Sequence, residues 1–253
     1  MDFSITTKIF VCVAVFLAGF VDSIAGGGGL ISLPAYYAAG IPPHMALGTN
    51  KFSSSCGTTI ATVVYIKNKR YHLKSAICAV LCGFIGSSIG SRLTLVLDEI
   101  YLKYTLLVLV PIIAVFTVMN KNFDKPKEKN LSNTAVILIS CAIGFFLGMY
   151  DGFFGPGMGM FLMLAFTTFL GIDMLTANGN AKIVNLASNI AALTTFILNG
   201  KVVYSIAIPA ACCNIIGNFL GSKLAIKNGS KIVKPIVLVV MVLLLLKVAM
   251  DLF

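Results

Sequence analysis

Charge is what this chain has least of. Only 11% of its 253 residues are Asp, Glu, Lys or Arg, against 58% hydrophobic residues and a mean hydropathy of +0.96. A soluble domain would have nowhere to bury that much apolar surface, so composition excludes one and implies an integral membrane protein. Histidine is also scarce, with two in the chain, and the seven cysteines (Cys12, Cys56, Cys78, Cys82, Cys141, Cys212, Cys213) form no CxxC pair and fall inside apolar runs. They read as small packing residues, with no metal and no cofactor implied. There is no HExxH and no serine–histidine pairing near an acid, so the chain does not read as an enzyme. No Gly-Lys-Ser or Gly-Lys-Thr follows a glycine cluster, which removes a phosphate loop. The one excess of charge, a net +10, lies in short loops between apolar runs, not in a patch interleaved with aromatics. The lipid bilayer, not nucleic acid, is the expected partner.

Hydrophobic runs are what the chain has in quantity: 9–25, 30–39, 45–66, 75–97, 101–119, 134–150, 158–170, 176–198, 202–225 and 232–253. Most reach the roughly 17 to 25 residues that cross a bilayer as a helix. The first resembles a signal peptide, with Lys8 ahead of it and Ser23 and Ala25 at its end. It is expected to be retained, because many apolar segments follow and its Asp-Gly ending recurs mid-chain.

That ending organises the rest. In FVDSIAGGGGLISLP, residues 20–34, an apolar run meets Asp22 and then Gly26, Gly27, Gly28 and Gly29. In YDGFFGPGMGM, residues 150–160, Asp151 precedes Gly155, Gly157 and Gly159. A shift of 131 positions aligns Gly48 with Gly179, Lys51 with Lys182, Asn68 with Asn199, Gly86 with Gly217, Gly90 with Gly221 and Ser91 with Ser222. Near the glycines the shift is 129, which implies a two-residue insertion in the second copy's short run. The polar stretch 120–133 divides the chain into a first transmembrane repeat, 1–119, and a second, 134–253, and is expected to be a cytoplasmic linker.

Loop charges orient the copies. If each glycine break is a hairpin or two short spans, one side carries Lys67, Lys69, Arg70, Lys74, Lys121, Lys125, Lys127, Lys129, Lys223, Lys227, Lys231 and Lys234, and the other only Lys8, Arg92, Lys103 and Lys201. That twelve-to-four split puts both termini on the non-cytoplasmic side. If each break merely interrupts one span, the loops divide ten to six, a weaker asymmetry. The expected fold is therefore an all-α polytopic membrane protein of two inverted repeats. Each repeat has a Gly-broken helix pair plus three transmembrane helices, giving about 8 to 10 membrane segments.

A helix broken inside a bilayer frees backbone groups that lipid cannot satisfy, at several kcal/mol each, so such a break survives only within protein or beside a wet cavity. Glycine permits the turn, and the N–H groups opening the next short helix favour an anion. The alternative is that these glycines only allow close helix packing, which is the better reading for the GxxxG pairs Gly86/Gly90 and Gly217/Gly221. Lys51 and Lys182, each closing a short polar motif, GTNK or GNAK, stand at matched positions inside apolar runs, where a lysine costs about 2.5 to 3.5 kcal/mol. Snorkelling is the alternative to function there. Asp22 and Asp151 read equally as proton carriers or as static ion-pair partners of Lys51 or Lys182. Asn214 and Asn218 either line a cavity or bond a neighbouring helix.

The run VDSIAGGGGLISLP followed by ALGTNKF, with degenerate second copies in GFFGPGMG and NGNAKIVN, resembles the sulfite exporter TauE/SafE family of membrane transporters over nearly the whole chain. The resemblance implies movement of sulfite, organosulfonates or related small organic anions across the cell membrane. A secondary transporter working by alternating access is the expected function, with a passive anion channel or a membrane subunit of a larger assembly as alternatives. Lys51 and Lys182 would supply charge, Gly26 to Gly29 with Gly155, Gly157 and Gly159 backbone donors, and Asn50, Asn180 and Asn185 orientation. Protons are the candidate coupling ion, through Asp22 or Asp151, and a homo-oligomer is left open.

Overall fold

A computed structural model describes residues 3–97, 129–229, 231–233, 235, 236 and 239. It is all-helical over these residues. The elements are α1 (Ile5–Ala25), α2 (Gly29–Ala38), α3 (Pro43–Lys67), α4 (Leu73–Val96), α5 (Asn133–Phe153), α6 (Met158–Leu170), α7 (Met174–Leu198) and α8 (Tyr204–Asn228). The expected segments at 101–119 and 232–253, and most of the linker, lie outside the described residues.

Helix starts are set by side chains that accept from the first-turn N–H groups. Ser4 caps α1 at Thr7 N (3.1 Å), Ser132 caps α5 at Ala135 N (3.2 Å) and Asp173 caps α7 at Thr176 N (3.1 Å). Among the described residues five helices, α1, α4, α5, α7 and α8, are long and apolar enough to cross a membrane. Their outward faces carry Ile9, Phe10, Leu81, Ile85, Phe146 and Ile216, all exposed, as a lipid-facing surface requires. α3 has the length but not the apolarity, because Thr49, Asn50, Lys51, Ser53, Ser55 and Thr58 interrupt it. All six are buried, so this polar part of the helix is enclosed by protein. The short helices α2 and α6 have 10 and 13 residues. At 1.5 Å per residue they extend about 15 and 20 Å, well under the roughly 30 Å of hydrocarbon. The surplus residues of the second copy fall in the longer α6.

Both glycine breaks are hairpins. Gly26 and Gly27 (φ 76° and 93°) and Gly155 and Gly157 (φ 98° and 81°) take left-handed backbone, which ends α1 and α5 where a side chain would be strained. α2 then doubles back along α1, so that Tyr36 packs with Val11 and Val15, and Tyr37 and Phe3 join the same cluster. α6 likewise returns to where α5 begins, with Lys129 Nζ donating to Thr168 O at 2.8 Å. Of the two readings weighed from the sequence, the interrupted single span is therefore not what forms.

Small residues set the main helix contacts. A Cβ on Gly86 or Gly90 of α4 would run into the carbonyls of Phe145 or Met149 on α5, and one on Gly217 or Gly221 of α8 into those of Phe16 or Phe20 on α1. The GxxxG pairs are thus packing seams, and the α4–α5 contact has its counterpart in α8–α1. α3 packs on α8, and α7 packs on α4 in the same fashion.

Candidate functional site

The two breaks meet. A Cβ placed on Gly159 would stand 2.9 Å from Gly26 Cα, and one on Gly29 would stand 3.2 Å from Pro156 Cα. Only glycine lets these backbones approach so closely. Beside them is a cavity of about 30 Å³, lined by Asp22, Gly27, Gly28, Gly29, Ser32, Asn50, Lys51, Ser54, Thr58, Asp151, Gly155, Gly157, Gly159, Asn185, Asn189 and Asn214, together with Ala18 and Met158. The first residues of both α2 and α6 are in this wall, so two helix N-termini face one small space.

Four ionisable side chains converge here as two crossed pairs. Lys51 Nζ lies 2.7 Å from Asp151 Oδ1, and Lys182 Nζ lies 2.9 Å from Asp22 Oδ2. Each lysine thus pairs with the aspartate of the other half. Lys51 also donates to Asn189 Oδ1 (2.9 Å), Asn189 donates to Asn185 Oδ1 (3.2 Å), and Ser188 donates to Asp151 Oδ2 (2.6 Å). Lys182 also donates to the main-chain oxygen of Asp22. Asp22 Oδ1 accepts only a long bond, 3.3 Å, from Gly28 N. The pairs differ in exposure: the Lys51 and Asp151 side chains are both 3% accessible, Lys182 is 0% and Asp22 16%. Neither lysine reaches out to the interface, so snorkelling does not occur, and burial of each charge is offset by its partner.

The carbonyls freed at the breaks are also satisfied. Tyr65 Oη donates to Ser23 O (3.0 Å), Asn178 Nδ2 to Ile24 O (2.6 Å), and Thr94 Oγ1 to Phe153 O (2.7 Å). These side chains let a broken helix persist where solvent is excluded.

Of the residues expected at the site, Asp22, Asp151, Lys51, Asn50, Asn185, Gly27 to Gly29, Gly155, Gly157 and Gly159 line the cavity. Gly26 stands behind the wall against Gly159, and Lys182 stands behind Gly159, whose added Cβ would meet its Nζ at 3.3 Å. Asn180 lies elsewhere: its Oδ1 accepts from His72 N (2.8 Å) and its Nδ2 donates to Ser75 Oγ (2.8 Å), fastening the α3–α4 loop. Its counterpart at the shift of 131 is Thr49, which accepts from Val203 N (3.1 Å) and fastens the α7–α8 loop in the same manner. Asn214 does both things considered for it, lining the cavity and donating to Val15 O (3.2 Å). Sequence reasoning missed Ser32, Thr58, Tyr65, Thr94 and Asn178. A signal for Thr58 was present: Lys51, Ser54 and Thr58 share the spacing i, i+3, i+7 with Lys182, Asn185 and Asn189, one polar helix face written twice.

The family model "Sulfite exporter TauE/SafE" matches residues 11–248. The chain is 33% identical over 244 residues to a "Probable membrane transporter protein" of Haemophilus influenzae, covering 96% of this chain and 94% of that one. It is 36% identical over 236 residues to the "Probable membrane transporter protein YfcA" of Escherichia coli K12, covering 93% and 87%. No solved structure matches. The chain therefore belongs to the sulfite exporter TauE/SafE family, a family of membrane transporters.

Proposed function

We propose that this protein is a secondary transporter that carries small oxyanions or organosulfonates across the cell membrane by alternating access between two inverted repeats. The observation that carries this reading is the crossing of the ion pairs Lys51–Asp151 and Lys182–Asp22 beside a polar cavity at the junction of two broken helices. The glycine breaks, the lysines and the aspartates at that junction come in two copies, one from each half, the pattern of transporters built from inverted repeats.

Helix ends support the inversion. Phe3, Tyr37, His44 with Thr94, and Gly48 with Lys201 meet at one end of the bundle. Arg70 with Gly179, His72 with Asn180, and Lys129 with Thr168 meet at the other. α1 therefore starts at the end opposite to the start of α5. Among the described residues Lys67, Lys69, Arg70, Lys74, Lys129, Lys223, Lys227 and Lys231 belong to the second end, and Lys8, Arg92 and Lys201 to the first. The positive-inside rule makes the richly basic end cytoplasmic and the beginning of α1 non-cytoplasmic.

In the bound state the anion sits against Lys51 and the opening turns of α2 and α6. Asn185 directs its amide nitrogen to the ligand because its oxygen is occupied by Asn189. The test is saturable uptake of labelled sulfite by the purified chain in proteoliposomes, with counterflow and competition by taurine, sulfoacetate, sulfate and acetate. Saturable counterflow inhibited by sulfonates supports the carrier; flux without counterflow indicates a channel, and no flux in folded protein overturns the reading.

A further inference from the structure

The carrier reading above concerns the anion; the charges around the cavity bear on what travels with it. Lys51, Lys182, Asp22 and Asp151 sum to zero, and all four are more than four-fifths buried. Adding a monoanion to a neutral, largely desolvated cluster leaves one uncompensated charge, which a low-dielectric site tolerates poorly. Adding a monoanion and one proton restores neutrality. We propose that the anion is loaded together with a proton, and that Asp22, not Asp151, takes it.

The asymmetry of the two pairs selects Asp22. Both oxygens of Asp151 are engaged by short side-chain contacts, Lys51 at 2.7 Å and Ser188 at 2.6 Å, and its side chain is 3% accessible. Asp22 is 16% accessible, lines the cavity, and offers Oδ1 with only a 3.3 Å backbone partner. Protonation of Asp22 would not release its lysine, because Lys182 Nζ also donates to the main-chain oxygen of Asp22 and stays behind Gly159. The carboxyl then becomes a donor, and the charge of Lys182 is free to balance the anion. The ionisable groups around Asp22 are Lys182 on α7, Lys51 and Tyr65 on α3, and Asp151 on α5. Tyr65 is occupied by Ser23 O and Asn178. The stretches of α2, α6 and α8 that reach the site bring no ionisable group to the cavity wall, only Ser32, Met158 and Asn214 among their side chains.

The experiment uses the full chain in proteoliposomes with sulfite and methanesulfonate as probes, the latter because its charge does not change with pH, and an internal pH indicator. A pH step of one unit, acidic outside, should accumulate methanesulfonate up to about tenfold, the limit for one proton per monoanion. The lumen should acidify in proportion, and an imposed potential should not alter the flux. Asp22→Asn should abolish accumulation by the pH step and make exchange independent of pH and sensitive to potential, while Asp22→Glu restores the proton requirement. Wild-type flux that follows potential alone, with no proton movement, overturns the inference and leaves the carrier intact, whether or not Asp22→Asn folds. Absence of saturable flux for both probes overturns the carrier reading itself.

Discussion

Lys51 closes on Asp151 of the opposite half at 2.7 Å, and Lys182 closes on Asp22 at 2.9 Å, so the two halves are tied by charge in both directions. Removing one member strands a buried charge, which costs about 3 to 5 kcal/mol. Lys182→Met should therefore lower the thermal midpoint sharply, and Lys182→Met with Asp22→Asn should recover most of the loss. Thermal unfolding in detergent measures both; equal midpoints for the single and double variants would mean that the pair carries no coupling.

At the junction of the breaks, Gly26 combines a φ of 76° with a Cβ position that falls on the backbone of Gly159 and Met160. Gly40, at φ 77°, has nothing within 4 Å of its Cβ position. Gly40→Ala should cost only the left-handed backbone penalty, about 1 to 2 kcal/mol. Gly26→Ala should prevent recovery of monodisperse protein or abolish uptake. Size-exclusion yield and transport of the two variants side by side are the check, and similar behaviour would show that the breaks need not touch.

Asn180 and Asn185 separate folding from binding. Asn180→Ala removes partners of His72 N and Ser75 Oγ and should lower stability by about 1 to 3 kcal/mol while leaving anion affinity of the folded fraction unchanged. Asn185→Ala removes a cavity-lining amide and should weaken anion affinity several-fold with a smaller loss of stability. Binding isotherms on thermally matched samples would show the difference, and a fall in affinity for Asn180→Ala would return that residue to the site.

Asn68 and Asn199 are equivalent exposed loop positions that follow α3 and α7. In a background without the seven native cysteines, Cys at 199 should react in intact cells with a membrane-impermeant maleimide, and Cys at 68 only after permeabilisation. Labelling of both from one side would rule out the inversion.

Much of this was legible in the sequence. Composition required a membrane, because so few charged residues cannot cover so much apolar surface. The glycine runs marked the breaks, since left-handed backbone at Gly26 and Gly155 excludes other residues at little cost only to glycine. The matched lysines and aspartates marked where the two halves meet, because a buried charge needs a partner. These are local properties, fixed by residue type and spacing, and they survive without knowledge of what packs where.

Only the tertiary structure decided partnership. Whether Asp22 would face Lys51 or Lys182 depends on side chains 160 residues apart in the second case, and nothing in either motif encodes that distance. The return of α2 along α1 chose the hairpin over the interrupted span, because Tyr36 finds its burial against Val11 and Val15. Asn180 sits beside Lys182 in sequence yet one residue is fastened to a loop and the other to the centre of the bundle. Two positions along a helix turn a side chain by about 200°, and which direction is inward is set by the neighbouring helices alone.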